Sequence, residues 1–456
     1  MKKKLPEGWA ESELKNIISF VIGGDWGKDP VKTDDKDYIE VSCIRGSEIK
    51  DWNKEKGSTA SLRKIKKSSL EKRELIEGDI LIEISGGGPD QPVGRILFID
   101  EEALSVNDLP KICTNFLRLV RIENILNQKF VSQFLEYFYL SGQVIEYQGG
   151  SNNLRNLKFK AYQTIKIPLP PRAEQDRIVA KLDTLFGQLE QINKSLDHIS
   201  TLLKNFRQQV LTEAVTGKLT EEWRKGKELE EWHLNTIGNL FKVQTGSTPK
   251  RGTPEYYENA TIPWLKSGQV KNELIYSAEE FITPKAIKDT NAKVYPIDTL
   301  LVAMYGEGKT RGQVGWMKLE AASNQAIAAL VNENMKDDLR SYVYHFCLSQ
   351  YNEIRAQAEG GNQPNLNLTK IKNWQINIPS ETERIEIVNR VEKLFAKADA
   401  IEAHYEALKT KIEHLPQAIL HKAFKGKLVP QLDSDGDARE LFREIEQLKK
   451  DTKSKK

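Results

Sequence analysis

The sequence predicts an α+β protein: two similar globular domains separated by two long antiparallel helices forming a coiled coil, the whole arranged as a pseudo-twofold internal repeat. Three observations carry this. The run "AVTGKL" at Ala214–Leu219 returns as "AFKGKL" at Ala423–Leu428, 209 residues later. Ahead of each ending lies a long stretch of apolar residues spaced by threes and fours. Ahead of each stretch lie short β-rich runs among Gly, Pro and Asn. A doubled terminator points to a doubled chain, so repetition is settled before any local reading.

The match extends well back from the two endings. "EQDRIVAKLDTLF" (Glu174–Phe186) lies over "ERIEIVNRVEKLF" (Glu383–Phe395) at the same offset of 209. "IKIPLPP" parallels "INIPS", and "YQGGSNNLRNL" parallels "AEGGNQPNLNL" at 211. At the front, "EGWAESELKNIISFVIGG" aligns with "EEWHLNTIGNLFKVQTGS" at 223, placing Trp9 over Trp232, Leu14 over Ile237 and Gly23 over Gly246. Between them only islands match: "EGDILIEI" against "PIDTLLVA", and "PVGRI" against "QVGWM". Each copy is therefore a variable body followed by a near-constant tail.

The tails read as helices. Ile178, Leu182, Leu185, Leu189, Ile192, Leu196, Ile199, Leu203, Phe206 and Val210 keep the spacing without a miss. Adding 209 gives Ile387, Val391, Leu394, Ala398, Ile401, Tyr405, Leu408, Ile412, Leu415 and Ile419, again apolar or aromatic. Such sustained spacing predicts a coiled-coil seam, roughly 50 Å long at 1.5 Å per residue. Two equal seams in one chain most readily pack on each other. Each GKL glycine is a helix stop, with a lysine near the negative helix end. Pro416 is expected to kink the second helix, where the first has Arg207.

The bodies carry strand signals in "DILIEI", "GRILFI", "NFLRLV" and "TLLVAM", bounded by turn residues. A helix follows in each, "KFVSQFLEYFYLS" and "SYVYHFCLSQYNEI". The organisation is residues 1–170, a first α+β domain; 171–219, the first spacer helix; 220–380, a second α+β domain; 381–430, the second spacer helix; and 431–456, a charged C-terminal tail with one short helix, "ARELFREIEQLKK".

Composition narrows the function. A length of 456 residues leaves room for about three domains with proper cores. The net charge of +3 excludes a globally basic nucleic-acid coat, so any DNA affinity must come from local patches. Cys43, Cys113 and Cys347 lie far apart and read as ordinary thiols in a reducing cytoplasm. "MKKKLPEGWA" does not continue into an apolar run, so it is no signal peptide. No window approaches 18 apolar residues; the chain reads as soluble and cytosolic, with no membrane contact.

No catalytic constellation emerges. "AMYGEGKT" (Ala303–Thr310) imitates a phosphate-binding loop, but Ala303 stands where the first glycine belongs and no helix follows. The six histidines make no metal spacing, no nucleophile elbow is present, and no lysine completes a nuclease-like site with Asp79 and Glu83, which read as structural. No catalytic or metal residues are assigned.

Binding signals are better. Gln148–Pro171 holds no acid, but carries Arg155, Lys158, Lys160 and Lys166 with Asn152, Asn153 and Asn156 after a Gly-Gly turn. The matching stretch, Gly360–Ser380, has Lys370 and Lys372 with Asn362, Gln363, Asn365 and Asn367. "KVQTGSTPKRG" brings Lys242, Lys250 and Arg251, and "GEGKTRGQ" brings Lys309 and Arg311. Lys28, Arg45, Arg95 and Lys266 complete the candidate set. Arg and Lys neutralise phosphates, while Asn, Gln and Arg make paired hydrogen bonds to purine edges. Any one of these residues could equally be an ordinary polar turn; the set, at matched places in both copies, favours DNA. The rivals are an ATP-binding protein dependent on Lys309 and a coiled-coil adaptor that binds only proteins.

The chain also resembles the specificity subunit of type I restriction–modification systems. "LPEGW", "IPLPPRAEQDRIVAKLDTLF", "NFRQQVLTEAVTGKLTEEWR" and "LPQAILHKAFKGKLVPQ" carry the resemblance, which spans almost the whole chain. "IPSETERIEIV" departs from it by lacking the double proline and glutamine of the first copy. The resemblance implies two target-recognition domains spaced by antiparallel helices, each reading one half of a bipartite, asymmetric site in double-stranded DNA. It implies two methyltransferase subunits on the non-seam faces of the helices, and restriction subunits in the full complex. It implies no cofactor on this chain, with AdoMet, ATP and Mg on the partners, and a prokaryotic cytoplasm.

Overall fold

The computed structural model describes residues 5–33, 35–88, 91–151, 154–306, 310–359 and 366–454. They form two compact units. The first gathers residues 1–194 and 408–456, the second residues 195–407. The units thus do not coincide with the two sequence copies: each takes one body, the near end of one long helix and the far end of the other.

In the first unit, Ile18–Gly23, Leu117–Ile122, Ile80–Glu83 and Ile96–Phe98 form a sheet in that order, antiparallel throughout. Tyr38–Ile44 lies between Ser61–Lys66, antiparallel, and Lys111–Cys113, parallel. In "DILIEI" the consecutive Ile80, Leu81 and Ile82 are all buried, because both faces of this strand are covered. Helix Gln128–Leu140 packs on the sheet with Phe130, Val131, Phe134 and Phe138.

The second unit repeats the plan with additions. Its first sheet runs Lys242–Thr245, Ile327–Val331, Leu300–Ala303, Val314–Met317, Glu273–Ile275, and its second runs Glu280–Ile282, Ile262–Leu265, Ala321–Ser323, Val294–Tyr295. The parallel pair recurs between Ile262–Leu265 and Ala321–Ser323. Helix Asp337–Glu359 is ten residues longer than its counterpart.

Backbone bonds fix which residues correspond, and they correct the sequence alignment. Gly24, not Gly23, matches Gly246. A Cβ on Gly24 would lie 2.3 Å from the Cys113 carbonyl oxygen, and one on Gly246 would lie 1.8 Å from that of Ser323. The following amides, Asp25 and Ser247, donate to those same two carbonyls at 2.8 and 3.0 Å. The slip arises at a β-bulge: Ile18 pairs Ile122 while Phe20 pairs Arg121, so Ser19 is extra in the first copy. Likewise Ile80 corresponds to Leu300, since each pairs with the matching strand residue, Val120 or Leu330. The islands "EGDILIEI" and "PVGRI" are therefore displaced by one and by three residues from the places the sequence suggested.

The long helices are Arg172–Thr216 and Glu381–Ala423, the latter continuing through Pro416. Pro170 and Pro171 precede the first, and their carbonyls accept from the Gln175 side chain and from the Glu174 and Gln175 amides. Both GKL glycines have positive φ, +78° at Gly217 and +62° at Gly426, as helix stops require. In the first unit Ile178, Val179 and Leu182 share a core with Leu420, Ala423 and Phe424. In the second, Val210, Leu211 and Ala214 share one with Ile387, Val388 and Val391. The start of each helix meets the end of the other, which makes the pairing antiparallel.

Only half of the expected seam is buried. Leu182, Leu189, Leu196, Leu203 and Val210 form one sevenfold row, answered by Val391, Ala398, Tyr405 and Ile412. The alternate row is buried only where it starts, at Ile178 and Ile387: Ile192, Ile401 and Leu408 are 42, 52 and 45% exposed, and Leu185, Ile199 and Leu394 are half-buried. A helix pair that meets along one row leaves the next at its flank, exposed.

The C-terminal segment forms the short helix expected in the charged tail, and this helix docks on the first unit. Helix Ala438–Ser454 places Ile445 in the first core with Leu441 and Phe442 against it. Asp435 takes both terminal nitrogens of Arg177 at 2.7 and 2.6 Å, and the Ala438 amide donates to the Gly8 carbonyl at 2.9 Å.

Candidate nucleic-acid interface

In the first unit, three loops carrying candidate cations converge beyond the strand ends. Arg45 follows the strand Tyr38–Ile44; its Nε and Nη2 donate to Glu48 Oε1 at 3.0 and 2.6 Å, and Nη2 also donates to the Thr59 carbonyl. Arg95 grips Glu83 through Nε and Nη2, at 2.9 and 2.5 Å, and Nη2 reaches the Gly46 carbonyl at 3.2 Å. Ser85–Gly86 then pairs with Asn156 and Arg155 on the hairpin Gln148–Ser151/Leu154–Leu157. Arg45, Arg95 and Arg155 are thereby brought to one region, with Lys158 exposed at the end of the hairpin.

Arg45 and Arg95 both hold buried acids, and Arg95 is the more enclosed of the two, 18% against 39% exposed. Glu83 is 1% exposed, and a buried carboxylate needs a bidentate partner; the guanidinium fork is committed to it. Asp79 is similarly buried and held by Arg121 at 2.7 Å. Burial pushes the Asp79 carboxyl above its ordinary range, against the pull of Arg121. Both acids are structural, as expected.

Lys28 belongs to a different group. Its amide and carbonyl bond those of Lys64, and its ammonium lies 4.6 Å from the centre of the Tyr38 ring. Contact with the Tyr38 hydroxyl raises the lysine's pKa. Beside it the Arg63 guanidinium stacks 4.3 Å over the exposed Trp26 ring, a pair the sequence did not reveal.

In the second unit, Arg251 and Lys266 meet on one carboxylate. Glu280 contacts Arg251 Nη2 at 2.6 Å and Lys266 Nζ at 2.5 Å. Lys266 and then Arg251 hold its carboxyl below the usual range. Lys250 is exposed beside them. Lys266 occupies the place of Arg45: each opens a 3-10 turn whose third residue, Gln269 or Glu48, bonds back to the amide. Arg311 sits on the loop that leads through Gly312, and Lys370 is exposed on Leu368–Lys372. Asn152, Asn153, Lys309, Asn362, Gln363 and Asn365 lie outside the described residues.

The second unit has no copy of the Glu83–Arg95 pair. Ala303 and Gln313 stand at the corresponding places, joined by the same backbone bond, 2.9 Å in both units. The scaffold is conserved between units while the side chains on it change. Among the described residues no cluster of His, Cys, Asp and Glu is placed to hold a metal ion, and no helix is long and apolar enough to cross a membrane.

This two-unit scaffold has relatives. Residues 6–200 and 229–412 each match the family described as the type I restriction modification DNA specificity domain. The chain belongs to this family. It is 27% identical to the type I restriction enzyme StySPI specificity subunit of Salmonella potsdam, over 94% of this chain and 91% of that one. In fold it resembles the HsdS subunit of Thermoanaerobacter tengcongensis, with a TM-score of 0.58 and 18% identity, covering 93% of this chain and 99% of that one. A chain solved in a study of complex assembly and conformational transition of the type I R-M system gives a TM-score of 0.66 at 17% identity, over 93 and 99% of the two chains. As a type I specificity chain, the protein serves DNA recognition and is not itself an enzyme.

Proposed function

We propose that each unit reads one half of a bipartite, asymmetric site in double-stranded DNA, and that the long helices set the unread gap between the halves. The observation that carries this is the pairing of matched frames with unmatched side chains. Arg45 and Lys266 open equivalent turns, yet Glu83 and Arg95 are replaced by Ala303 and Gln313. Two frames of one design reading identical halves would have no reason to differ there; reading different halves, they must.

The partners follow from the helices. A regular apolar row left exposed at Ile192, Leu408 and Leu415 in the first unit, and at Ile401 and Phe206 in the second, suits further amphipathic helices. We assign this row to two methyltransferase subunits, with restriction subunits joining the complex. AdoMet, ATP and Mg belong to those partners in this reading.

The test is a pair of rebuilt chains. Exchanging residues 1–170 for those of a relative with another specificity changes one half of the methylated motif and leaves the other. Adding four residues to each long helix, about one turn, lengthens the gap and leaves both halves. A change in both halves, or an unchanged gap, contradicts the reading.

A further inference from the structure

We propose that Arg251 is a base-reading residue of the second unit, donating from its guanidinium edge to a guanine in the major groove, and that Glu280 is the positioning residue that holds it for this. The inference rests on the DNA-specificity reading above and adds to it a residue, a base and a means of preorganisation.

The loop that carries Arg251 is pinned along its length. Gly246 is pressed on the Ser323 carbonyl, which also accepts from the Ser247 amide at 3.0 Å. The Ser247 carbonyl accepts from the Trp264 indole at 3.1 Å, and the Pro249 carbonyl from the Tyr257 hydroxyl at 2.5 Å. Those same two rings flank the guanidinium of Arg251, 5.1 Å from Trp264 and 4.9 Å from Tyr257. Two aromatic contacts and the ion pair from Nη2 to Glu280 together confine where the guanidinium lies.

Arg251 is 53% exposed, and Glu280, itself 28% exposed, has a second cation in Lys266. Two positive charges on one carboxylate leave an excess of one, of the sign DNA attracts. Guanidinium carries five N–H donors in a planar fork, and that fork matches guanine O6 and N7. Lys266 is a point charge on a flexible stem and suits phosphate better.

The constellation is confined to the second unit. Trp264 pairs across the strands with Glu280, and at the equivalent cross-strand pair the first unit has Cys43 and Ser61. A feature built on shared backbone in one copy only is what two different half-sites call for.

The experiment compares the wild-type chain with Arg251→Lys, Arg251→Ala and Glu280→Gln, each co-expressed with its methyltransferase subunits, and reads methylated bases in host DNA. A wild-type motif in the same assay establishes the DNA-specificity reading independently of the variants. The proposal expects both Arg251 variants to relax one G·C position in one half-site, while the other half-site stays as specific as before. Glu280→Gln relaxes the same position by a smaller factor. For the purified complex on a duplex carrying the wild-type motif, Arg251→Lys lowers discrimination at that position about 5- to 150-fold. An unchanged motif in Arg251→Lys overturns the proposal. So does a loss of affinity that is equal for all sequences, with the salt dependence reduced by about one phosphate contact. A merely structural role for Arg251 changes stability and leaves the identity of the methylated bases intact.

Discussion

The Trp9 indole donates to Glu174 Oε2 at 3.0 Å, and the Trp232 indole donates to Glu383 Oε2 at 2.9 Å, the same bond made once in each unit. Trp9 packs beside Gly426 and Trp232 beside Gly217, so the terminator of each copy lies under the opening tryptophan of the other. The repeat is therefore cyclic. The chain leaves the second copy at the place where the first begins, and the docked C-terminal segment closes that junction.

The two bonds are not equally supported. Glu383 also accepts from Thr220 at 2.7 Å and from Arg224 at 3.0 Å. The two arginines nearest in sequence to Glu174 pair elsewhere, Arg172 with Asp176 and Arg177 with Asp435, and burial pushes the Glu174 carboxyl up. Replacing either tryptophan by Phe strips a donor from a buried acid, at about 1–3 kcal/mol. The account expects Trp9→Phe to cost more than Trp232→Phe, measured by denaturant unfolding.

Buried and exposed rows on the long helices make opposite predictions. Leu196→Ala opens a cavity in the buried row and costs about 2–5 kcal/mol. Ile401→Ser, at a position 52% exposed, changes stability by less than about 0.5 kcal/mol but prevents co-purification of a methyltransferase subunit. If both variants destabilise the chain alike, the assignment of the exposed row to partners is wrong.

The C-terminal helix is expected to stabilise the first unit alone. Ile445 is 3% exposed, so Ile445→Ala costs about 2–5 kcal/mol there. Hydrogen exchange should speed up around Trp9–Ile17, where Lys449 Nζ donates to the Asn16 carbonyl, and stay unchanged in Leu300–Ala303.

His345 sets a pH dependence in the second unit. It is 6% exposed between Tyr344 and Phe395, and burial lowers its pKa to about 4. A free histidine titrates near 6.5, so below that pH the unfolded chain takes up a proton that the folded one refuses. The associated stability is present above pH 6.5 and lost as pH falls toward 4, by about 3 kcal/mol. His345→Phe should flatten that slope, seen in melting temperatures across the range.

The helices, their stops and the doubled plan were legible because each rests on local chemistry: the apolar spacing, the glycine after it, the tryptophan before the first strand. The Ser19 bulge was not, since one extra residue in a strand leaves no mark on composition. Glu280 was missed for a different reason. Its partners Arg251 and Lys266 reach it only through strand pairing, and nothing near Glu280 in sequence announces them. The seam was over-read at Ile401 and Leu408 because periodicity reveals which residues want cover, not which helix provides it. The C-terminal helix showed its apolar face in Leu441, Phe442 and Ile445, but most of the first core that receives that face is built from residues more than about 250 positions away.

The most direct measurement is single-molecule sequencing of methylated bases in host DNA, with and without this chain, in the presence of its methyltransferase subunits. The account predicts a split, asymmetric motif, two unlike halves around an unread gap, that appears only when the chain is present. An assembled complex that yields no new motif, or one that is continuous and symmetric, contradicts it.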